Sequence, residues 1–389
     1  MKHHDFDHDA NRRASEARKY APENCPPDAI PMWIADTDFL CPQELIDAMT
    51  ARVALGHFGY PNTDFSFSEA VALWQEKRFG WKAEANWCEF VPGAIMTLLY
   101  GMRAFSGTGD AVLIQTPAYP PFYALIKNNG RQLVENPLVL KDGRYEIDFE
   151  DLERGLSKPR TRVMFLCNPH NPTGRNFTRD ELVKIDDLCK KYNVFVVSDE
   201  IHGDITYYGA SHIPYCTISD HAAANSAISV NPSKTFNTAG LRTAAMICPN
   251  PNVKALMLEQ RMNNKAFGRP IFGALAVEVL YNQCDYYVDE MLPYLEENIR
   301  ILREGLAKTN GKIKLIEPEG TYLLWLDCRN LGLSQPELVR FMKEEAKLIL
   351  NDGQTFGKEG IGFMRMNIAC PHATMRKAVQ QLLQAVSRR

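Results

Sequence analysis

The chain has 389 residues, 45% of them hydrophobic, and a formal net charge of −3 at neutral pH. That length suits one large domain with a smaller one, and the near-balanced charge, free of long like-charge blocks, gives no sign of a nucleic-acid or anionic-membrane partner. The ten cysteines are scattered singly (Cys25, Cys41, Cys88, Cys167 and onward) with no CxxC pair, which speaks against a zinc ribbon or a disulfide framework and fits a reducing cytosol.

The first stretch, MKHHDFDHDANRR, is too polar for a signal peptide, and no apolar run is long enough to cross a bilayer. The expected setting is cytoplasmic, and the sequon Asn176-Phe177-Thr178 is expected to stay unglycosylated. Residues 1 to about 45 carry many Pro, Asp and His residues and little periodicity, so they read as an N-terminal arm. From there to about 284, apolar runs alternate with helical patterns. The runs are AVLIQT (111–116), RVMFLC (162–167), VFVVSD (194–199), SAISV (226–230) and AAMIC (244–248). Between them TRDELVKIDDLCKKY has Thr178 and an acidic pair to open a helix. Apolar runs without polar alternation, separated by helices, predict an α/β fold with a mostly parallel sheet covered on both faces. A long helix is predicted over 285–308. Beyond it YLLWLD (322–327) and GFMRMNIA (362–369) predict strands of a smaller α+β domain over 285–389.

Ligands of open α/β sheets bind just past the carboxyl ends of the strands. The loops there are NPHNPTG after 167, DEIH after 198 and NPSK after 230, which bring Asn168 and Asn171, Asp199 and His202, and Lys234 toward one crevice. TPAYPPFY adds Tyr119. Upstream, VPGAI opens a helical stretch where Gly93 lets backbone N–H groups approach a phosphate. Each residue has a plainer reading. NPHNPTG is built of turn formers, Asp199 could cap a helix, and Tyr119 could simply pack. His202 could be structural or, with Glu200, a metal ligand, though no second ligand pair at zincin-like spacing exists. Lys234 alone would be a surface charge in most proteins. Their coincidence at consecutive strand ends favours chemistry. A lysine, an aspartate, an asparagine, an aromatic ring and a helix-start anion site suit pyridoxal phosphate.

The segments NPHNPTG, SDEIH and PSKTFNTAGLR resemble the fold-type-I, class I/II aminotransferase superfamily of pyridoxal-phosphate enzymes. PMWIADTDF, GHFGYP, IQTPAYPPFY and GFMRMNIACP are similar to its MalY/PatB branch, the cystathionine β-lyase or C–S lyase type, and the likeness runs from about residue 5 to the C-terminus. The resemblance implies that Lys234 is the Schiff-base lysine, Asp199 the partner of the pyridine nitrogen, Asn171 that of the phenolic oxygen, and Tyr119 the ring stacked on the cofactor. His202 stands where many aminotransferases carry a tyrosine. Arg242 and the backbone of Gly93, Ala94 and Ile95 would hold the phosphate, with Asn231 and Ser233 beside them; Asn231 departs from the serine common at its position. Tyr60 would reach the site from a neighbouring subunit, which implies a homodimer with a shared site. Arg365 would grip the substrate α-carboxylate. By residue type alone, Trp33 and Tyr123 could supply an apolar wall for a sulfur-bearing side chain or simply pack in the core or the arm. The implied division is an arm over 1–45 that packs with the small domain, a cofactor-binding domain over 46–284 and a small domain over 285–389. The implied reaction is β-elimination of a thiol from L-cystathionine, L-cysteine or S-substituted cysteines, leaving pyruvate and ammonia. An aminotransferase using the same residues is the second reading.

Overall fold

The computed structural model describes residues 3–62, 64–266 and 268–389. Its centre is a seven-stranded sheet whose strands run, in spatial order, Cys88–Val91, Ala244–Ile247, Ser226–Val230, Phe195–Asp199, Thr161–Cys167, Ala111–Thr116 and Gln132–Pro137. Each apolar run splits its side chains between two cores. Leu113, Met164, Leu166 and Val196 pack on one face, while Val112, Ile114, Phe165 and Val197 pack on the other. Period-two alternation with both faces covered is why these strands read as continuous hydrophobic runs. On one face the helix Ile95–Phe105 approaches so closely that a Cβ on Gly101 would strike Val197.

The predicted elements are present with small shifts at their ends. Thr178 and Glu181 form a capping box that starts the helix Arg179–Tyr192. The long helix spans Asp285–Ala307. One strand runs against the rest: Ala244–Ile247 is antiparallel to both of its neighbours. A short apolar run carries no information on direction; the tight turn around Arg242, at φ +48°, sends this strand back.

A second, four-stranded antiparallel sheet is ordered Lys314–Leu315, Leu323–Asp327, Phe363–Asn367, Asn351–Asp352. The helices Asp285–Ala307 and His372–Ser387 pack beside it. The N-terminal stretch runs alongside this sheet: Ile30–Pro31 pairs with Leu348–Ile349, and Asn367 N–H donates to Met32 O at 2.9 Å. Among the described residues no helix is long and apolar enough to cross a membrane.

Candidate active site

In the large sheet Cys167 pairs with Asp199 and Asp199 with Ser229, so the loops that follow leave the sheet at one level. They open onto a cavity of about 380 Å³ lined by Tyr119, Asn171, Asp199, His202, Asn231, Ser233, Lys234 and Arg242, with Gly93, Ala94 and Ile95 at the start of the helix Ile95–Phe105. That volume lies in the range of ligand pockets. A cavity of similar size, about 390 Å³, lies under the N-terminal stretch between Arg12 and Lys377 and holds none of these groups.

Asp199 ends its strand only 4% exposed. Its carboxylate accepts the Ile201 N–H at 3.5 Å, and among the described residues no cation forms an ion pair with it. No helix follows at once, so capping is not its task. Burial pushes its pKa up to about 7, against the Ile201 N–H and the Lys234 charge, which pull it down. Lys234 faces the same cavity, its Nζ donating to Ala35 O at 2.8 Å. Burial and the Arg365 charge bring its pKa down to about 8, while Asp36 and Asp199 oppose the shift. His202 is 2% exposed and lies edge-on to Tyr322; burial, Lys234 and Arg365 hold its pKa well below the usual value, so it is neutral. Its Nδ1 has no partner.

Arg365 comes from the second sheet, on the strand Phe363–Asn367. Its Nη1 donates to Asn171 Oδ1 at 2.9 Å, and its Nη2 donates to Trp33 O at 3.0 Å and Asn351 Oδ1 at 2.6 Å. Phe356 covers its guanidinium at 4.8 Å. Among the described residues no carboxylate pairs with it. Burial lowers its pKa to about 10, which still leaves it charged at neutral pH.

Comparison with known proteins places this arrangement. Residues 34–382 match the family described as aminotransferase class I and II. The chain belongs to that family. Among curated relatives it is 40% identical to cystathionine β-lyase PatB of Bacillus subtilis, over 92% of this chain and 93% of that one. Among solved structures, cystalysin of Treponema denticola, which contains pyridoxal 5′-phosphate, superposes with a TM-score of 0.95 at 30% identity, covering 100% of both chains. A PLP-bound putative aminotransferase of Clostridium difficile 630 gives a TM-score of 0.95 at 34% identity over 99% of this chain and 100% of that one.

Within this aminotransferase-family site the sequence-singled residues fall into three groups. Tyr119, Asn171, Asp199, His202, Asn231, Ser233, Lys234 and Arg242 share the cavity, and Arg365 joins them through Asn171. Gly93 stands at φ +99°, where only glycine is at ease, with open space where a Cβ would project. Its own N–H turns back to Val91 O at 2.8 Å, which leaves Ala94 and Ile95 as the N–H donors of that turn. Other residues point elsewhere. Asn168 is spent on the Phe177 N–H at 2.9 Å. The indole of Trp33 donates to Lys19 O at 3.2 Å, so this residue offers Arg365 its carbonyl rather than its ring. Tyr123 donates to Phe356 O at 2.7 Å. Tyr60 stands fully exposed in a surface groove with Phe58 and Phe272, apart from the cavity of its own chain.

Sequence reasoning missed Ala35, Asn351, Phe356 and Asn367. For Asn367 a signal existed, since a residue two positions after Arg365 on a strand shares its face. Asn351 could not be read, because only the pairing of Asn351 with Arg365 brings it there.

Proposed function

We propose that this protein is a PLP-dependent carbon–sulfur β-lyase that cleaves L-cystathionine, L-cysteine or S-substituted cysteines to thiol, pyruvate and ammonia. The observation that carries the reading is Lys234 facing, across one cavity, the buried Asp199, which forms no ion pair among the described residues. A buried carboxylate without a cation calls for a positively charged donor, and a protonated pyridine nitrogen is one. The open space at Gly93, the unpartnered His202 Nδ1 and the uncapped helix start fit the rest of the cofactor.

When bound through Lys234, pyridoxal phosphate supplies an electron sink that acidifies the α-C–H of an amino acid and lets a β-thiolate leave. Asp199 would hold the ring nitrogen charged, the Asn171 amide would donate to the phenolic oxygen, and Tyr119 would offer its ring to the cofactor's face. Ala94 and Ile95 N–H, Asn231, Ser233 and Arg242 would receive the phosphate. The Asn231 Oδ1 already accepts the Ser233 N–H at 3.1 Å, so its Nδ2 is the group left to donate. Arg365, whose Nε is buried without a partner and whose Nη1 has one N–H left, would take the substrate carboxylate. Lys234, with a pKa of about 8, keeps enough neutral amine near neutral pH to accept the α-proton at Nζ.

The arm over 1–45, the cofactor-binding domain over 46–284 and the small domain over 285–389 are part of this reading, with Arg365 bringing the small domain to the site. So is a homodimer in which Tyr60 serves the neighbouring site. The exposed Phe58, Tyr60 and Phe65 support it, since surface aromatics beside a groove mark an interface. A cytoplasmic setting is supported by nine of the ten cysteines being buried with no disulfide among them.

The test is purified, cofactor-loaded protein given L-cystathionine without any keto acid. Matched release of thiol and pyruvate is expected. Absence of thiol, with the bound cofactor converted to its amine form, would replace the lyase with an aminotransferase.

A further inference from the structure

The segment Trp33–Thr37 has no strand or helix, yet all five of its carbonyls are engaged. Trp33 O accepts from Arg365, Ala35 O from Lys234, and Thr37 O from Arg12 Nη1 at 2.7 Å. Asp36 N–H returns to Ile34 O at 2.9 Å, closing a three-residue turn with Ala35 at its apex. The two carbonyls that flank the apex, Ile34 O and Asp36 O, both accept from one group: the Nδ2 amide of Asn367, at 2.6 Å each. A side-chain amide has two N–H donors, and here each goes to one carbonyl. Asn367 is 1% exposed, and its Oδ1 is fixed by the Ala369 N–H at 2.8 Å. The amide therefore has no freedom, and neither has the turn it holds.

We propose that Asn367 is a positioning residue for Lys234: it locks the turn over Ile34–Asp36 so that the Ala35 carbonyl receives the lysine amine whenever that amine is not joined to the cofactor. The inference rests on the lyase reading for its catalytic meaning. An amine that gives one N–H to a fixed carbonyl has its lone pair oriented, and an oriented base loses less entropy in reaching the α-proton. The strand that carries Arg365 thus serves both ends of the chemistry, with residue 365 on the carboxylate and residue 367 behind the base. The charged and titratable groups facing Lys234 are Asp199 and His202 from the large sheet, Arg365 from the second sheet and Asp36 from the turn itself. Arg12 Nη2 holds the Asp36 carboxylate at 2.7 Å, with Lys19 Nζ at 3.6 Å.

The chain contains a single Ala-Asp peptide bond, Ala35–Asp36. Cofactor-free protein labelled with carbonyl-¹³C alanine and ¹⁵N aspartate therefore gives one ¹³C–¹⁵N correlation, which reports the Ala35 carbonyl. Its shift should titrate with a midpoint near pH 8, the pKa of the amine it accepts, and this movement should vanish in Lys234→Ala, which separates it from the titration of Asp199. In Asn367→Ala the amplitude should fall to about half or less, and in the loaded enzyme kcat should drop about tenfold or more with the Michaelis constant within about twofold. The matched control is Asn298→Ala, whose amide holds Ile368 O at 2.9 Å and Cys370 O at 2.8 Å, just downstream, and does not touch the turn. It should lose comparable stability yet keep both the titration and kcat. Asn367→Asp, which retains the acceptor for Ala369 N–H and loses the two donors, serves if the alanine variant does not fold. A titration in the Asn367 variants equal to that of Asn298→Ala, or a wild-type carbonyl that does not titrate, overturns the positioning role whatever the enzyme's product. Absence of thiol release overturns the lyase reading and leaves this titration unchanged.

Discussion

Replacing Asp199 with asparagine should act in opposite directions with and without the cofactor. In cofactor-free protein the carboxyl is buried beside one N–H at 3.5 Å, and its pKa is raised from 3.8 to about 7. In the unfolded chain the same carboxyl ionises near its ordinary value, so the native state holds the proton more tightly. Stability from this group is therefore complete below about pH 4 and is lost as pH climbs to about 7. Each pKa unit corresponds to about 1.36 kcal/mol, so the loss is about 2 kcal/mol by pH 5 and about 4 kcal/mol by pH 8. An amide in place of the carboxyl does not ionise. Asp199→Asn should accordingly gain on wild type as pH rises, with urea midpoints diverging from pH 5 to pH 8. The loaded enzyme should behave the other way. A protonated ring nitrogen compensates the carboxylate, so the substitution should weaken cofactor retention and depress turnover. Urea curves that stay parallel across this pH range would refute the claim that an uncompensated charge is buried at Asp199.

Lys234→Ala should abolish turnover while cofactor still binds without a bond, so that borohydride fixes none; turnover near wild type would remove the lysine from the reaction. Because burial brings the Lys234 pKa down to about 8, the rate of cofactor attachment to empty protein should climb as pH rises toward 8 and level above it, whereas a rise continuing to pH 10 would mean an ordinary exposed amine. Arg365→Lys keeps the charge and loses the fork that now reaches Asn171, Trp33 and Asn351, so kcat/KM should fall by about 10- to 150-fold, the equivalent of about 1.5–3 kcal/mol for a hydrogen bond to a charged group. Tyr60→Ala and Lys234→Ala should each be impaired as homodimers. When the two are mixed and allowed to exchange subunits, hybrid dimers should regain one intact site each, about a quarter of all sites at equal mixing. No recovery despite hybrid formation would put Tyr60 in its own chain's site or outside catalysis.

Several parts of this molecule were legible from local pattern. The sheet was readable because strands buried on both faces must be apolar at every position, as at 111–116 and 226–230. The helix Arg179–Tyr192 announced its start through Thr178 and Glu181, three residues apart. The convergence of the crevice residues was readable because they lie within a few positions of strand ends, and a parallel sheet sends all such ends to one edge. Trp33 and Tyr123 illustrate the opposite case. Their residue types allow a pocket wall or plain packing; neither lines the cavity, and the indole reaches Lys19 O while the phenol reaches Phe356 O. Aromatic composition does not say which neighbour will offer the acceptor that a buried N–H or O–H requires.

By itself, then, the sequence determined which side chains stand at the ends of the central strands, since burial and strand periodicity act over a few residues. The tertiary structure decided what those side chains touch. Arg365 meets Asn171 across 194 positions of chain, Lys234 meets Ala35 across 199, and Asn367 spans 333 to reach Ile34. Such contacts depend on strand register, on the reversed strand Ala244–Ile247 and on how the N-terminal stretch lies along the second sheet, which no local pattern encodes. The partial neutrality of Lys234 and the retained proton affinity of Asp199 belong to the same level, because both arise from burial that exists only when the two sheets close on one cavity.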